Sequence, residues 1–91
     1  MAGTFSLKVL TPEGVEAECD AESLVLPGAA GSLGVLHGHE PWVVLLAAGK
    51  VSYRQSGSGW KSLSITGGVA DIGPAAAVVL ADGLEKDASA G

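Results

Sequence analysis

Apolar and polar residues alternate with a period of two along most of this chain, in short runs that glycine and proline interrupt. In the first run Phe5, Leu7 and Val9 alternate with polar neighbours. A period of two is the repeat of a β-strand, whose successive side chains point to opposite faces. The segment Thr-Pro-Glu-Gly at residues 11–14 predicts a turn, because proline presets φ and glycine accepts a positive φ. The pattern therefore predicts short strands joined by tight turns.

The alternation continues almost to the end of the chain. It predicts strands over residues 5–10, 15–19, 22–26, 35–36, 42–46, 50–55, 60–66, 69–72 and 77–81. Residues 42–46 are all apolar, which predicts a strand buried on both faces. Residues 28–34 are small and glycine-rich, which predicts a loop.

The length and composition agree with an all-β fold. The chain has 91 residues, enough for one domain, with 47% hydrophobic residues, 4% aromatic residues and 14 glycines. Strands at short, regular intervals are typical of a sandwich or barrel. We predict a two-layer antiparallel β-sandwich or flattened barrel in residues 1–82, followed by a short polar tail, frayed or disordered, in residues 83–91.

The charge pattern limits the classes of partner. The formal net charge of −5 argues against nucleic acid, whose phosphates bind clusters of Lys and Arg. Acids crowd residues 13–22, whereas none occurs between Glu40 and Asp71, an asymmetry that can orient docking. The single cysteine, Cys19, excludes an internal disulfide, and the acids around it are expected to raise its pKa. We see no targeting segment, and the longest apolar run, at residues 41–48, is far shorter than the roughly 20 residues that span a bilayer. We therefore expect a soluble protein.

Two segments could carry chemistry. His37, His39 and Glu40 could contribute metal ligands, but a zinc site needs three or four ligands and no second cluster follows. The glycine-rich residues 28–34 could suggest a phosphate loop, but a strand rather than a helix is predicted after them. No serine or cysteine has an adjoining base. We predict no catalytic residue, no metal and no cofactor, and keep a small metal-dependent enzyme as the third hypothesis.

The two tryptophans, Trp42 and Trp60, leave another function open. They are expected mainly as core or interface anchors, but exposed tryptophans on a sandwich can stack on sugar rings. The alternative hypothesis is thus a free-standing carbohydrate-binding β-module. Such modules usually show several aromatic residues on one face, whereas this chain has only two Trp, one Tyr and one Phe.

Several motifs, taken in order, resemble the epsilon subunit of F-type ATP synthases over nearly the whole chain. They are Phe-Ser-Leu-Lys-Val-Leu-Thr-Pro-Glu-Gly at 5–14, Leu-Pro-Gly at 26–28, Gly-Ser-Leu-Gly-Val-Leu at 31–36, Gly-His-Glu-Pro at 38–41, Gly-Lys-Val at 49–51, Thr-Gly-Gly-Val-Ala-Asp-Ile at 66–72 and Val-Val-Leu-Ala-Asp at 78–82. The resemblance implies a non-catalytic rotor subunit at the foot of the central stalk, which couples proton or sodium flow to ATP synthesis. It also implies a peripheral position, through the complex, on the cytoplasmic face of the bacterial inner membrane, and no homo-oligomer.

The resemblance also implies two contact sites. Contacts with the gamma subunit are implied for Thr11, His39, Glu40, Pro41 and Trp42. Contacts with the membrane c-ring are implied for Ala29, Ala30, Gly31 and Ser32.

The chain departs from the family pattern at several positions. Ser32 stands where the family often has a carboxylate, and Gly-His-Glu-Pro-Trp at 38–42 replaces the usual Gly-His-Ala-Pro-Leu. Glu16-Ala17 replaces an apolar pair. Typical bacterial members continue after Leu-Ala-Asp into a helical hairpin that binds ATP or inhibits hydrolysis. We expect neither the hairpin nor its two activities in the residues after Asp82, which are too few for a stable helix without packing support.

Overall fold

Strands account for most of residues 3–85, which are the residues that the computed structural model describes. The eight strands are β1 Phe5–Thr11, β2 Gly14–Gly28, β3 Gly31–Val35, β4 Trp42–Leu46, β5 Gly49–Gln55, β6 Trp60–Ile65, β7 Gly68–Ile72 and β8 Ala76–Ala81. Strands β1 and β8 run parallel, and every other strand pair is antiparallel. The predicted all-β sandwich is confirmed.

The long strand β2 belongs to both layers of the sandwich. Up to Ala21 it pairs with β1, and from Ala21 onward it pairs with β5 and then with β3. All eight strands are joined in one continuous sheet, which folds over into two layers. One layer contains β1, β8, β7, β4 and the first half of β2, and the other contains β3, β5, β6 and the second half. A register shift between Ala21 and Ser23 marks the passage, as expected where a strand bends from one sheet to the next. The prediction of two strands here is wrong, because residues 15–26 contain no glycine or proline to separate them.

The core lies between the two layers and takes alternate residues from the strands. Its largest fully buried side chains are Leu7, Val9, Leu24, Leu26, Val35, Val51, Ile65, Ile72 and Val79. Burial of each such side chain contributes about 1.5–3 kcal/mol, and no buried side-chain polar atom within residues 3–85 lacks a hydrogen-bond partner. The period-two pattern thus identifies the core face of most strands.

The predicted loop over residues 28–34 is mostly strand. Gly28 pairs with Gly31 and Pro27 pairs with Ser32, so only Ala29 and Ala30 form the turn between β2 and β3. The carbonyl of Pro27 accepts a hydrogen bond from Ala47 N, so the backbone of Pro27 faces away from β3. The N–H that proline lacks would therefore not have bonded to β3, and the pairing of β2 with β3 loses no hydrogen bond. Gly31 supplies the positive φ, +136°, that closes the turn.

Strand β4 is buried on one face only, so the prediction of burial on both faces is wrong. Val44 and Leu46 are buried, whereas Val43 and Leu45 are 64% and 71% exposed. A strand is covered on both faces only when other elements pack on both sides of its sheet. Within residues 3–85, the layer that contains β4 is covered only by the other layer.

The beginning of the predicted tail is paired with β6. Thr66 N donates to the carbonyl of Gly83 at 3.1 Å, Ile65 bridges Leu84, and Glu85 N donates to the carbonyl of Ser64 at 2.9 Å. These bonds extend the layer of β6 by a short segment. The rest of the predicted frayed tail, residues 86–91, lies outside the described residues.

Candidate functional site

A groove of about 510 Å³ lies between the β2–β3 turn and β4. All four residues predicted to contact the c-ring line it, and so does Trp42 from the predicted gamma set. The lining residues are Gly28, Ala29, Ala30, Gly31, Ser32, Leu33, Trp42, Val43, Val44 and Leu45. None of them carries a charge, although the chain has 15 formally charged side chains, five basic and ten acidic. The groove is therefore an uncharged, largely apolar surface.

Backbone hydrogen bonds join the two sides of this groove at one end. Ala29 N donates to the carbonyl of Leu45 at 2.9 Å, and Ala47 N donates to the carbonyl of Pro27 at 2.8 Å. Gly28 and Leu46 are the only pair between β2 and β4 among the described residues. From Val44 back to Trp42 the two sides separate. The fold therefore holds the groove open beside the first half of β4.

The segment that leads into β4 is organised by His39. The Nδ1 atom of His39 lies 2.7 Å from the carbonyl oxygen of Glu40, which can only accept, so Nδ1 carries the proton. The imidazole stacks on the indole of Trp42. Together with Glu40 and Pro41 these residues line a second groove of about 490 Å³. Four of the five residues predicted to contact the gamma subunit thus lie together, and Trp42 belongs to both grooves.

Thr11, the fifth residue of the predicted gamma set, lies elsewhere. Strand register places the end of β1 beside the end of β8, which pairs with the start of β7 and, through it, with Leu46 at the far end of β4. Measured along the sheet, Thr11 therefore lies three strand spacings, about 14 Å, across the strands from Trp42 and about the length of β4 along them. Its hydroxyl donates to Oε2 of Glu16 at 2.7 Å and accepts from Glu13 N at 3.2 Å. These bonds give Thr11 a structural role in the β1–β2 turn.

The outer face of the layer that contains β4 carries a row of apolar side chains that the alternation of residues does not reveal. The row lies in cross-strand register over five strands and consists of Leu45, Val69, Leu80, Leu10 and Val15. Leu45, Val15 and Leu80 are 71%, 57% and 46% exposed. The expectation that residues 42–46 are buried on both faces leaves no exposed residue in β4 to begin such a row. The row can be recognised only when the order of the strands is known.

The residues that suggested other functions are not brought together. Trp42 lies in β4 of one layer and Trp60 in β6 of the other, and neither groove that Trp42 lines contains Trp60. His37 lines a small groove with Gly3, Glu22 and Leu36, apart from His39. Within residues 3–85 there is no group of three His, Cys, Asp or Glu side chains placed to hold a metal ion.

Cys19 is half-buried in β2, and three influences act on its pKa. Burial raises the pKa of the thiol most, the charge of Asp20 raises it further, and Lys61 lowers it. A thiol with a raised pKa carries little thiolate and reacts slowly.

Across residues 3–85, no helix has the length and apolar character needed to cross a membrane.

Comparison with known proteins places these features in a family. The family model described as "ATP synthase, Delta/Epsilon chain, beta-sandwich domain" matches residues 4–87. The ATP synthase epsilon chain of Moorella thermoacetica is 35% identical over 83 residues, which cover 91% of this chain and 62% of the relative. The ATP synthase epsilon chain of Granulibacter bethesdensis is 40% identical over 77 residues, which cover 85% of this chain and 57% of the relative. The chain therefore spans about three fifths of the length of these relatives.

Solved structures share the fold. A chain in the Euglena gracilis mitochondrial ATP synthase structure of OSCP, F1 and c-ring superposes with a TM-score of 0.86 at 20% identity, covering 99% of this chain and 60% of that one. A chain in the central stalk and c-ring structure of Tetrahymena thermophila mitochondrial ATP synthase has a TM-score of 0.74 at 17% identity, covering 90% and 66%. At this identity the structures establish the fold, while the match over residues 4–87 and the relatives of 35–40% identity establish descent. The protein belongs to the ATP synthase delta/epsilon chain family and carries its β-sandwich domain.

Proposed function

We propose that this chain is a non-catalytic subunit of the central stalk of an F-type ATP synthase, where it links the gamma subunit to the membrane c-ring. In this role it turns with the rotor and couples ion translocation to ATP synthesis. One copy is held in each complex, on the cytoplasmic face of the bacterial inner membrane. The relatives are named ATP synthase epsilon chains, which supports a place in that complex.

The observation that carries the proposal is the convergence of the two proposed contact sites on one end of β4. Residues 29–32 form one side of the uncharged groove, and Trp42 lies on the other. His39, Glu40 and Pro41 continue from Trp42 along the second groove. A small domain that joins two partners needs two adjacent surfaces, and this end of the sandwich provides them.

Site-specific photocrosslinking in the assembled ATP synthase tests both contacts. A benzophenone amino acid at Trp42 is expected to crosslink the gamma subunit, and one at Ser32 the c subunit. The same group at Ser62, exposed on β6 in the other layer, serves as the matched control and should crosslink neither. Crosslinks from Ser62 alone, or failure of the chain to copurify with the complex, would refute the proposal.

A further inference from the structure

Strand β4 has a free edge where it borders the groove. Leu45 directs its carbonyl toward Ala29, away from β7. Because backbone groups of alternate residues point to the same edge of a strand, the N–H and C=O of Val43 point that way too. No strand within residues 3–85 pairs with β4 at Val43 on this edge. Among the described residues, the backbone N–H and C=O of Val43 in the wall of the groove therefore have no partner.

The side chains around this edge define what can bind there. Val43 is 64% exposed, Trp42 is 52% exposed, and the ten lining residues include no charge. A segment that brought charged side chains into the groove would lose their hydration without gaining an opposite charge. The complementary occupant is therefore uncharged and presents backbone groups to Val43.

We propose that an extended, uncharged segment of the gamma subunit adds to the free edge of β4 at Val43 as a further strand. This inference rests on the proposed function. Strand addition satisfies the backbone groups of Val43 and lets alternate side chains of the segment pack against Trp42 and Val44 on one side and Val43 and Leu45 on the other. Within the proposed function, the segment is assigned to the gamma subunit because it bonds to β4, which begins at Trp42 of the proposed gamma set. Residues 29–32 of the proposed c-ring set form the opposite wall of the groove.

An extended segment fits this edge better than a helix. A helix bonds its own backbone groups internally, so it would cover the N–H and C=O of Val43 without giving them partners. Each such buried, unsatisfied group costs about 1–3 kcal/mol. An added strand instead pairs both groups and, through its alternation, fills the groove and extends the outer face of the layer.

Removal of one backbone donor tests strand addition. Val43→Pro eliminates the N–H that faces the groove, and proline is tolerated on a free strand edge. Val43→Thr keeps the N–H in a β-branched side chain of similar size and serves as the matched control. Affinity for the purified gamma subunit is expected to fall about tenfold for Val43→Pro relative to Val43→Thr, with equal melting temperatures. Replacement of the Val43 amide by an ester, which removes the N–H and keeps the side chain, should give the same loss if the proline variant folds poorly.

The outcomes separate this inference from the proposed function. If the unaltered chain does not bind the gamma subunit, the proposed function fails. If the chain binds, but the ester and both Val43 variants bind equally well, only strand addition is refuted. If Val43→Pro binds isolated c-rings less tightly but binds the gamma subunit normally, addition of a gamma strand is also refuted, because the edge would then belong to the c-ring.

Discussion

The imidazole of His39 stacks on the indole of Trp42 with ring centroids 6.1 Å apart and planes inclined by 8°. Aromatic pairs at this separation contribute about 0.5–1.5 kcal/mol beyond the area that they bury. The pair holds a large, half-exposed ring in one orientation where β4 begins. A side chain already ordered in the free protein loses less entropy on binding, so the arrangement favours docking at this point.

Truncation of Trp42 is expected to weaken binding rather than folding. Trp42→Ala should lower the affinity for the gamma subunit about thirtyfold, the effect of a 2 kcal/mol interface anchor. Trp60→Ala is the matched control, because Trp60 is 56% exposed and Trp42 is 52% exposed. Calorimetric titration measures affinity, and thermal unfolding measures stability. Similar losses of affinity for the two variants would contradict the assignment.

The stacked ring of His39 provides a second test at the same place. His39→Ala should reduce gamma binding several-fold, whereas His39→Phe, which retains a ring to stack on Trp42, should preserve most of it. His37→Ala controls for loss of an exposed histidine, since His37 lines a different groove. Equal binding by His39→Ala and the unaltered chain would show that the stack does not prepare the surface.

A carboxylate at Ser32 is expected to strengthen binding to a c-ring that has a basic loop. Ser32 is exposed on β3, so Ser32→Glu should fold normally and contribute one exposed ion pair, about 0.5 kcal/mol. Ser32→Gln has a side chain of the same size without charge and should bind like serine. The gain should disappear in 1 M salt, because exposed charges are then screened. A gain that persists at high salt, or one that Ser32→Gln shares, would exclude a charge pair.

The backbone at Gly68 is expected to accept no side chain. Its φ is +148°, and an added Cβ would overlap the carbonyl oxygen of Leu80 on the paired strand β8. Gly68→Ala should therefore destabilise the domain by about 3 kcal/mol, as measured by urea unfolding. Gly34→Ala in β3 is the matched control, because a Cβ there meets nothing within 4 Å and φ is not positive. Equal stability of the two variants would contradict this account.

Alkylation of Cys19 should report the charges beside it. Asp20 raises the pKa of the thiol, so Asp20→Asn should lower that pKa and speed alkylation by iodoacetamide at pH 8. Lys61 lowers the pKa, so Lys61→Gln should slow the reaction. The alkylation rate of the chain unfolded in urea gives the reactivity of the unperturbed thiol. This rate should be the highest, because burial is the largest cause of the raised pKa in the folded protein. Equal folded-state rates for the two variants would show that neither charge acts on the thiol.

Much of the fold could be predicted because the period of two is a local property. From Trp42 onward the predicted strands agree with the observed ones to within one residue at each end, and the turn at Pro12 and Gly14 follows from backbone preferences alone. Errors occurred where pairing decides the structure. Residues 28–34 look like a loop in sequence, but Gly31 to Val35 form a strand because β2 lies beside them.

The candidate site was less predictable than the fold. The sequence names residues 29–32 and Trp42 separately, but their meeting in one groove depends on the pairing of Gly28 with Leu46. The resemblance assigns Thr11 and His39 to one contact site, whereas the register places the two at different ends of the sheet. Strand order, which links residues far apart in the chain, cannot be obtained from alternation.

The sequence by itself therefore determined the all-β class, the core face of most strands and the motifs of the family, because side-chain alternation and the φ preferences of glycine and proline act locally. Only the tertiary structure decided that Val43 and Leu45 are exposed, that β4 has a free edge, and that an apolar row crosses five strands. The physical reason is that an apolar residue is buried only if another element covers its face. That depends on strand order and layer composition, which are set by contacts between distant parts of the chain.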